Sequence, residues 1–538
     1  MKQYKPVVLI ILDGFGISPD QIGSPWETAK HPTFSDIEKN YPFTALQASG
    51  IAVGLPWGKE GNSEVGHLAI GSGKIIYNHL PRISTAISDE TFFSNEVFLK
   101  AANHVKQNNS SLHLMGLFSS GTVHSYSEHL YALMDFTTKQ NISNVFLHLF
   151  SDGKDAYYKE GFKFFKELED RLKSNYPNIK IASIIGRKYS MDRDNNWGLT
   201  EKAYKLFTES AGEEINSASS HIMNNYEKEN YDSSISPAFI SNTKRITDND
   251  SVIFYNFRED SPRQLAQAFV EDNFNKFERI KLNNLFFVTM TEYSKNIPTI
   301  PAFHSTGVKN PLAKIISDNK LKQFHIAETV KYAHITYFLN GGNESKHEGE
   351  DWLLVPSLET PSFEISPEMS AEKITEEIIY NLDKYNFIVA NFANADMVGH
   401  TGNFKATSKA LEKLDKSISV IIPEVLKTGG AVVITADHGN AEEKTYKLTG
   451  EKKTEHSINP VPFYVISNEF KNTQPATQEE IKKKYQDTKG TLADVAPTVL
   501  DLLGLKPSEE MSGQSLLKNF PYYEPKISIL KKLKFWEK

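Results

Sequence analysis

Several stretches of this chain combine carboxylates and imidazoles at spacings that suit a metal ion. Asp396-Met-Val-Gly-His400 sets a carboxylate and an imidazole four residues apart, which puts both on one face of a helix. Asp437-His438 follows an apolar run, Asp13 follows another, and His456 lies within Thr454-Glu-His-Ser-Ile-Asn-Pro-Val-Pro462. Carboxylate oxygens mixed with imidazole nitrogens suit manganese or zinc, and magnesium less well. A single Asp after a strand is usually a helix cap or a turn residue. The metal reading rests on the acids gathering at one sheet edge together with His400, His438 and His456.

Gly61-Asn-Ser63-Glu-Val-Gly-His67 is a second constellation. Taken locally, Ser63 reads first as the N-cap of a helix with Glu64 in its first turn. The same position is also where backbone N–H groups and the helix dipole favour an anion. A nearby dication would lower the hydroxyl's pKa and make it a nucleophile. A third, largely basic constellation comprises His124, Lys154, Asp155, Arg187, Arg193, Arg258 and Arg263, nearly all just after apolar runs. Arginine forks hold phosphate and carboxylate groups bidentately.

The elements that must position these residues read as an α/β protein with a parallel sheet, because short apolar runs alternate with longer amphipathic segments. Val7-Val-Leu-Ile-Ile-Leu12 ends at Asp13, Phe387-Ile-Val-Ala-Asn-Phe392 leads to Asp396, and Ala431-Val-Val-Ile-Thr-Ala436 ends at Asp437. None alternates with polar residues, as expected of strands covered on both faces. Ligand sites in such sheets lie beyond the carboxyl ends of the strands. Ser111–Leu117, Asn144–Leu149, Lys180–Ile185 and Ser251–Asn256 read as strands of a second α/β unit. Boundaries are expected near Pro81 and around Ile297-Pro-Thr-Ile-Pro301, the latter as an extended linker. Residues 1–80 and 304–538 would then form one discontinuous domain, interrupted by residues 81–303.

Composition narrows the function classes. The 538 residues carry 60 Lys plus Arg against 67 Asp plus Glu, a formal charge of −7, so nothing global points to nucleic acid. The chain has no cysteine, which excludes thiolate catalysis and Cys-based zinc sites and suits a reducing, cytoplasmic location. Val7–Leu12 is six residues long, against the roughly 20 of a membrane span. Its acidic end also lacks a signal-cleavage pattern. Lys526–Lys538 mixes Ile, Leu, Phe and Trp with five lysines and reads as a surface helix or frayed tail rather than a membrane-surface helix. A monomer is expected.

Taken together, Leu12-Asp-Gly-Phe-Gly16, Gly61-Asn-Ser-Glu-Val-Gly-His67, Asn391-Phe-Ala-Asn-Ala-Asp-Met-Val-Gly-His-Thr-Gly402, Thr435-Ala-Asp-His-Gly-Asn440 and Leu492–Gly504 resemble the cofactor-independent phosphoglycerate mutases of the alkaline phosphatase superfamily, from Pro6 to about Leu517. The resemblance implies a phosphatase-like metal domain split by an inserted transferase domain. It implies two divalent metal ions, manganese first with zinc or cobalt as alternatives, and no 2,3-bisphosphoglycerate. One metal would be held by Asp13, Ser63, Asp437 and His438, the other by Asp396, His400 and His456. Ser63 would carry the phosphoryl group, and Asp155 would shuttle protons. His124, Lys154, Asp155, Arg187, Arg193, Arg258 and Lys331 would surround a phosphoglycerate. The chain departs from the family pattern at Lys154, Thr122 and Val330, and at Ser261, where the family carries a second arginine. Arg263, two residues on, is the candidate to cover for it. The alternative reading is a metal-dependent hydrolase, or a mutase, of another small phosphate ester.

Overall fold

The apolar runs become the central strands of two sheets in the computed structural model, which describes residues 2–18, 24–304, 307–446 and 449–521. By its contacts the chain divides into two units, Met1–Tyr77 with Gly307–Lys538, and Asn78–Thr306. Pro81 therefore lies inside the helix His79–Ser88. The stretch expected as a linker runs into the strand Ile300–Phe303, which pairs in parallel with Phe286–Thr291. It is an edge strand, so Pro301 is tolerated although it offers no N–H to the ladder. The lysine-rich end lies outside the described residues.

In the first unit, Val7–Leu12 runs parallel between Phe387–Phe392 and Ala431–Thr435. All three strands are fully buried, as expected of β-branched runs without polar alternation. The register sets Leu12 beside Phe392 and Ile11 beside Thr435, so all three chains leave the sheet at the same edge. Gln323–Glu328 and Glu350–Val355 extend the parallel part, while Val461–Ile466 pairs antiparallel with both Ala431–Thr435 and Phe43–Gln47. Thr488–Thr491 completes this sheet, eight-stranded among the described residues.

The helix Phe404–Lys427 covers Ala431–Thr435. Asn403 caps it by accepting from the Ala406 N–H, and its buried face is Ala410, Leu411, Leu414, Ile418, Ile421, Ile422 and Val425. Burying each Leu or Ile contributes about 1.5–3 kcal/mol. The second unit holds another sheet, in the order Ile300–Phe303, Phe286–Thr291, Ser251–Phe254, Leu112–Leu117, Val145–Ser151, Ile179–Gly186, Ala238–Ile240, Glu213–Ile215. It too is covered on both faces: Leu112 and Leu114 enter one apolar core, Met115 and Leu117 another. Within it, His113 and His148 are buried and bonded to each other, Nδ1 to Nε2 at 2.9 Å, with Asp250 and Ser183 completing the chain.

One buried carboxyl in the first unit gives a pH-dependent expectation. Burial pushes Glu38 up to about 6, although Tyr485 and Tyr464 donate to it. A carboxyl with a raised folded pKa stabilises fully below its unfolded value of about 4.5 and loses that contribution as pH rises through about 6, on the order of 2 kcal/mol. Glu38→Gln should therefore flatten the melting temperature across that window and raise it at neutral pH. An unchanged pH profile by calorimetry would show that Glu38 is not the group responsible.

Candidate active site

Ser63 is the first residue of the helix Ser63–Ser72, not its cap. Asn62 is the cap, its side chain accepting from the Val65 N–H at 3.1 Å. That frees the Ser63 hydroxyl. Its Oγ lies 3.1 Å from Asp13 Oδ1, 3.0 Å from His438 Nε2 and 2.7 Å from Lys331 Nζ, which donates to it. Two glycines allow the elements to meet. A Cβ on Gly66 would stand 2.8 Å from the Asp437 Cβ, so the helix reaches the strand end only because that atom is missing. Gly14 (φ +73°) turns the chain after Asp13, where a Cβ would lie 2.7 Å from the Asp396 Cα.

Lys331 was expected in the substrate shell with the arginines. It is instead buried among the acids of the first unit, donating to Asp13 Oδ1 and Asp396 Oδ2 at 2.6 Å each as well as to Ser63. Burial would discharge this ammonium, but Asp13, Asp396 and Asp437 outweigh it and hold the pKa above the usual lysine value. Burial likewise raises Asp13 and Asp396, yet Lys331, followed by neighbouring histidines, keeps both far below the usual carboxylate range. Burial presses His438 toward its neutral form, while Asp437, Asp13 and Asp396 push it up to about 9.

The donor sets fit dications. His400 Nδ1 donates to the Thr454 carbonyl and His456 Nδ1 to the Gly61 carbonyl, both at 2.8 Å. These bonds aim the two Nε2 atoms at each other, 3.0 Å apart and each 3.2 Å from Asp396 Oδ1. Acceptors gathered this closely repel unless a positive charge lies among them, and backbone carbonyls that fix the tautomer are the usual support of a metal-bound histidine. Asp13, Asp396 and His438 form a second convergent group, beside an Asp437 Oδ2 that is buried and takes no hydrogen bond. The His438 and His456 rings stack at 3.9 Å, so the two groups adjoin. The residues expected as metal ligands thus all come together: Asp13, Ser63, Asp396, His400, Asp437, His438 and His456.

In the second unit the basic residues form a cluster interleaved with acids. His124 Nδ1 lies 2.6 Å from Asp155 Oδ2. Arg187 NH1 donates to Asp152 Oδ1 at 2.6 Å and lies 2.8 Å from Asp155 Oδ1. Burial would raise the Asp155 pKa, but His124 and Arg187 bring it below the usual value. Arg193 and Arg258 both meet Asp260 Oδ2, at 2.6 and 3.1 Å. Lys154 is exposed, and its backbone N–H donates to Asp152. Arg263 does not join the group: its Nε donates to the Tyr293 carbonyl at 2.7 Å. Ser261 does, with its Oγ 3.3 Å from His124 Nε2.

Comparison with known proteins places this arrangement. The sequence profile of the metalloenzyme superfamily matches residues 5–507. A 2,3-bisphosphoglycerate-independent phosphoglycerate mutase of Chloroflexus aurantiacus is 43% identical over 545 residues, covering 96% of this chain and 99% of its own. The chain belongs to this mutase family. The corresponding protein of Clostridium acetobutylicum is 44% identical over 519 residues, covering 95% and 99%. Among solved structures, a Leishmania mexicana phosphoglycerate mutase determined at low cobalt concentration is 28% identical, covers 95% of this chain and 97% of its own, and has a TM-score of 0.54.

Several residues around the site escaped the sequence reading. Asn391 donates through Nδ2 to Asp13 Oδ2 at 2.7 Å and to His67 Nε2 at 3.0 Å. The ring's other nitrogen therefore donates, reaching the Ser63 carbonyl at 2.8 Å, so His67, through Asn391, ties Asp13 to the first turn of the Ser63 helix. Asn440 donates to Asp396 Oδ1 at 2.7 Å and accepts from Lys444, which burial pulls down to about 8. Asp152 Oδ1 gathers the N–H groups of Lys154 and Asp155 as well as Arg187, fixing the basic cluster's turn. Asn391, His67 and Asn440 lie inside the motifs quoted above, which was the one signal available for them.

Proposed function

We propose that the chain interconverts 3-phosphoglycerate and 2-phosphoglycerate through a phosphoserine at Ser63, as a step of glycolysis and gluconeogenesis. The observation that carries this reading is the Ser63 hydroxyl itself, held by an ammonium, a carboxylate and an imidazole within about hydrogen-bond reach. Asp13, Ser63, Asp437 and His438 would hold one dication and Asp396, His400 and His456 the other. When bound, such ions supply Lewis-acid stabilisation of an in-line phosphoryl transfer and favour the serine alkoxide.

Ser63 Oγ forms a bond to phosphorus as the phosphate–glycerate bond breaks, its proton leaving to water, and the oxygen takes a proton back when the phosphoserine is cleaved. Lys331 balances negative charge on Oγ. The released glycerate oxygen takes a proton from the Asp155–His124 pair, and the other hydroxyl returns one to it as that hydroxyl attacks the phosphoserine. Arg187, Arg193, Arg258 and Lys154 supply the charge that retains glycerate between the two transfers. Ser261 in place of a family arginine favours one competing outcome, in which water takes the phosphoryl group.

The test is to incubate manganese-loaded protein with 3-phosphoglycerate, without added 2,3-bisphosphoglycerate, and follow both products. Formation of 2-phosphoglycerate with little free phosphate is expected. Stoichiometric phosphate release instead would make the protein a hydrolase.

A further inference from the structure

Ser261 lacks the charge that its place in the family pattern leads one to expect, and Arg263 is turned to the Tyr293 carbonyl, so the basic cluster must reach its ligand by other means. We propose that Asp260 is the positioning residue that does this: clamped by Ser261, its carboxylate fixes the guanidiniums of Arg193 and Arg258 as a ready-made fork for an anionic substrate group. The proposal rests on the reading of this cluster as the substrate's anion site.

Both ends of the clamp are in place. Asp260 Oδ1 accepts from the Ser261 backbone N–H at 2.8 Å and lies 3.2 Å from the Ser261 Oγ. Its Oδ2 takes Arg193 NH1 at 2.6 Å and Arg258 NH2 at 3.1 Å. The two arginines come from different segments, one after the helix Arg187–Ser190 and one after the strand Ser251–Phe254, and this single oxygen joins them. Each guanidinium has five N–H donors. Asp260 engages one terminal nitrogen of each, leaving further donors on both groups. The arginine side chains are 55% and 44% exposed and Asp260 is 26% exposed, so the donors, more than the clamp, face solvent.

Ion pairs this exposed contribute little to stability. They do remove conformational freedom from two long side chains before the ligand arrives, which otherwise counts against binding. The same acid also lies 3.6 Å from His124 Nε2, itself bonded to Asp155, so the fork is set in register with the proton-carrying pair.

The test uses Asp260→Asn, Asp260→Glu and Ser261→Ala in the full chain. Binding of 3-phosphoglycerate and of inorganic phosphate to metal-free protein is measured by calorimetry at fixed ionic strength. Asp260→Asn is expected to weaken both by about 10-fold or more, the effect of losing a charged hydrogen bond's support. With manganese loaded, KM should rise in parallel, and free phosphate should form a larger share of the product because Arg193 and Arg258 help to retain glycerate. Asp260→Glu should recover part of the loss, and Ser261→Ala should show a smaller effect of the same sign. Tighter binding by Asp260→Asn would overturn the proposal, because the carboxylate would then be a competitor sitting in the anion's place. Unchanged binding, or a parent protein that binds neither ligand, would also overturn it. If phosphate binding depends on Asp260 but phosphoglycerate is neither bound nor turned over, the clamp stands and the mutase reading falls.

Discussion

Ser63→Ala is expected to lower turnover by about 10³-fold or more, the loss typical of removing a nucleophile that acts within a catalytic unit. The fold should survive. Asn62, not Ser63, caps the helix, so the alanine leaves the cap bond to Val65 intact. Lys331 keeps two carboxylate partners when the hydroxyl goes, so no buried ammonium is stranded. The melting temperature should therefore stay close to the parent's, and the Asp396, His400 and His456 group should still take up metal. Incubation with substrate followed by acid quench should trap phosphoserine in the parent and none in the variant. Turnover within tenfold of the parent would remove Ser63 from the chemistry.

Removing divalent metal should abolish activity outright, and manganese should restore it best among manganese, zinc and cobalt. The physical reason lies in the donor sets. Three buried carboxylates, Asp13, Asp396 and Asp437, stand beside two imidazole nitrogens fixed as mutual acceptors, with Lys331 and His438 to balance them. Metal that binds only the folded protein also stabilises it, by about 2.7 kcal/mol at a free concentration one hundred times Kd. Chelation should thus lower the melting temperature as well as the rate, and both should return together on titrating manganese. Full activity after exhaustive chelation, with no metal left by elemental analysis, would falsify the two-metal reading.

The most apolar parts of the fold were readable, and the reason is physical. Val7–Leu12 and Phe387–Phe392 are strands over the very residues read from sequence, because a strand covered on both faces leaves an uninterrupted apolar run. The acids after them were legible for the same reason, since a strand's end locates a sheet's edge. Short, polar strands such as Thr488–Thr491 carry no such pattern and were missed. Lys331 sits in the three-residue turn Thr329–Lys331, where nothing local says whether a lysine faces solvent or carboxylates. Arg263 failed as a stand-in for a residue at 261 because closeness along the chain is not direction: side chains two positions apart do not share a face, and this one opens the helix Arg263–Val270. Asp260, Asp152 and Asn391 each take a partner distant in sequence, Arg193, Arg187 and Asp13 respectively, and sequence spacing does not encode such partners.

The order of strands in the first sheet also dictates the order in which the protein can be built. Val7–Leu12 belongs between Phe387–Phe392 and Ala431–Thr435, and the bond from Asn391 to Asp13 spans 378 residues. The second unit, by contrast, is one continuous segment, Asn78–Thr306, and can fold as soon as it is synthesised. At about 5–20 residues per second, a growing chain holds its first strand, six apolar residues without neighbours, for on the order of tens of seconds. Closing so long a loop makes this pairing slow and leaves that apolar strand open to aggregation meanwhile. It also means that Ser63 and Asp13, fifty residues apart, meet His438 only after residue 438 has been made, so the constellation around the hydroxyl is incomplete in any shorter chain.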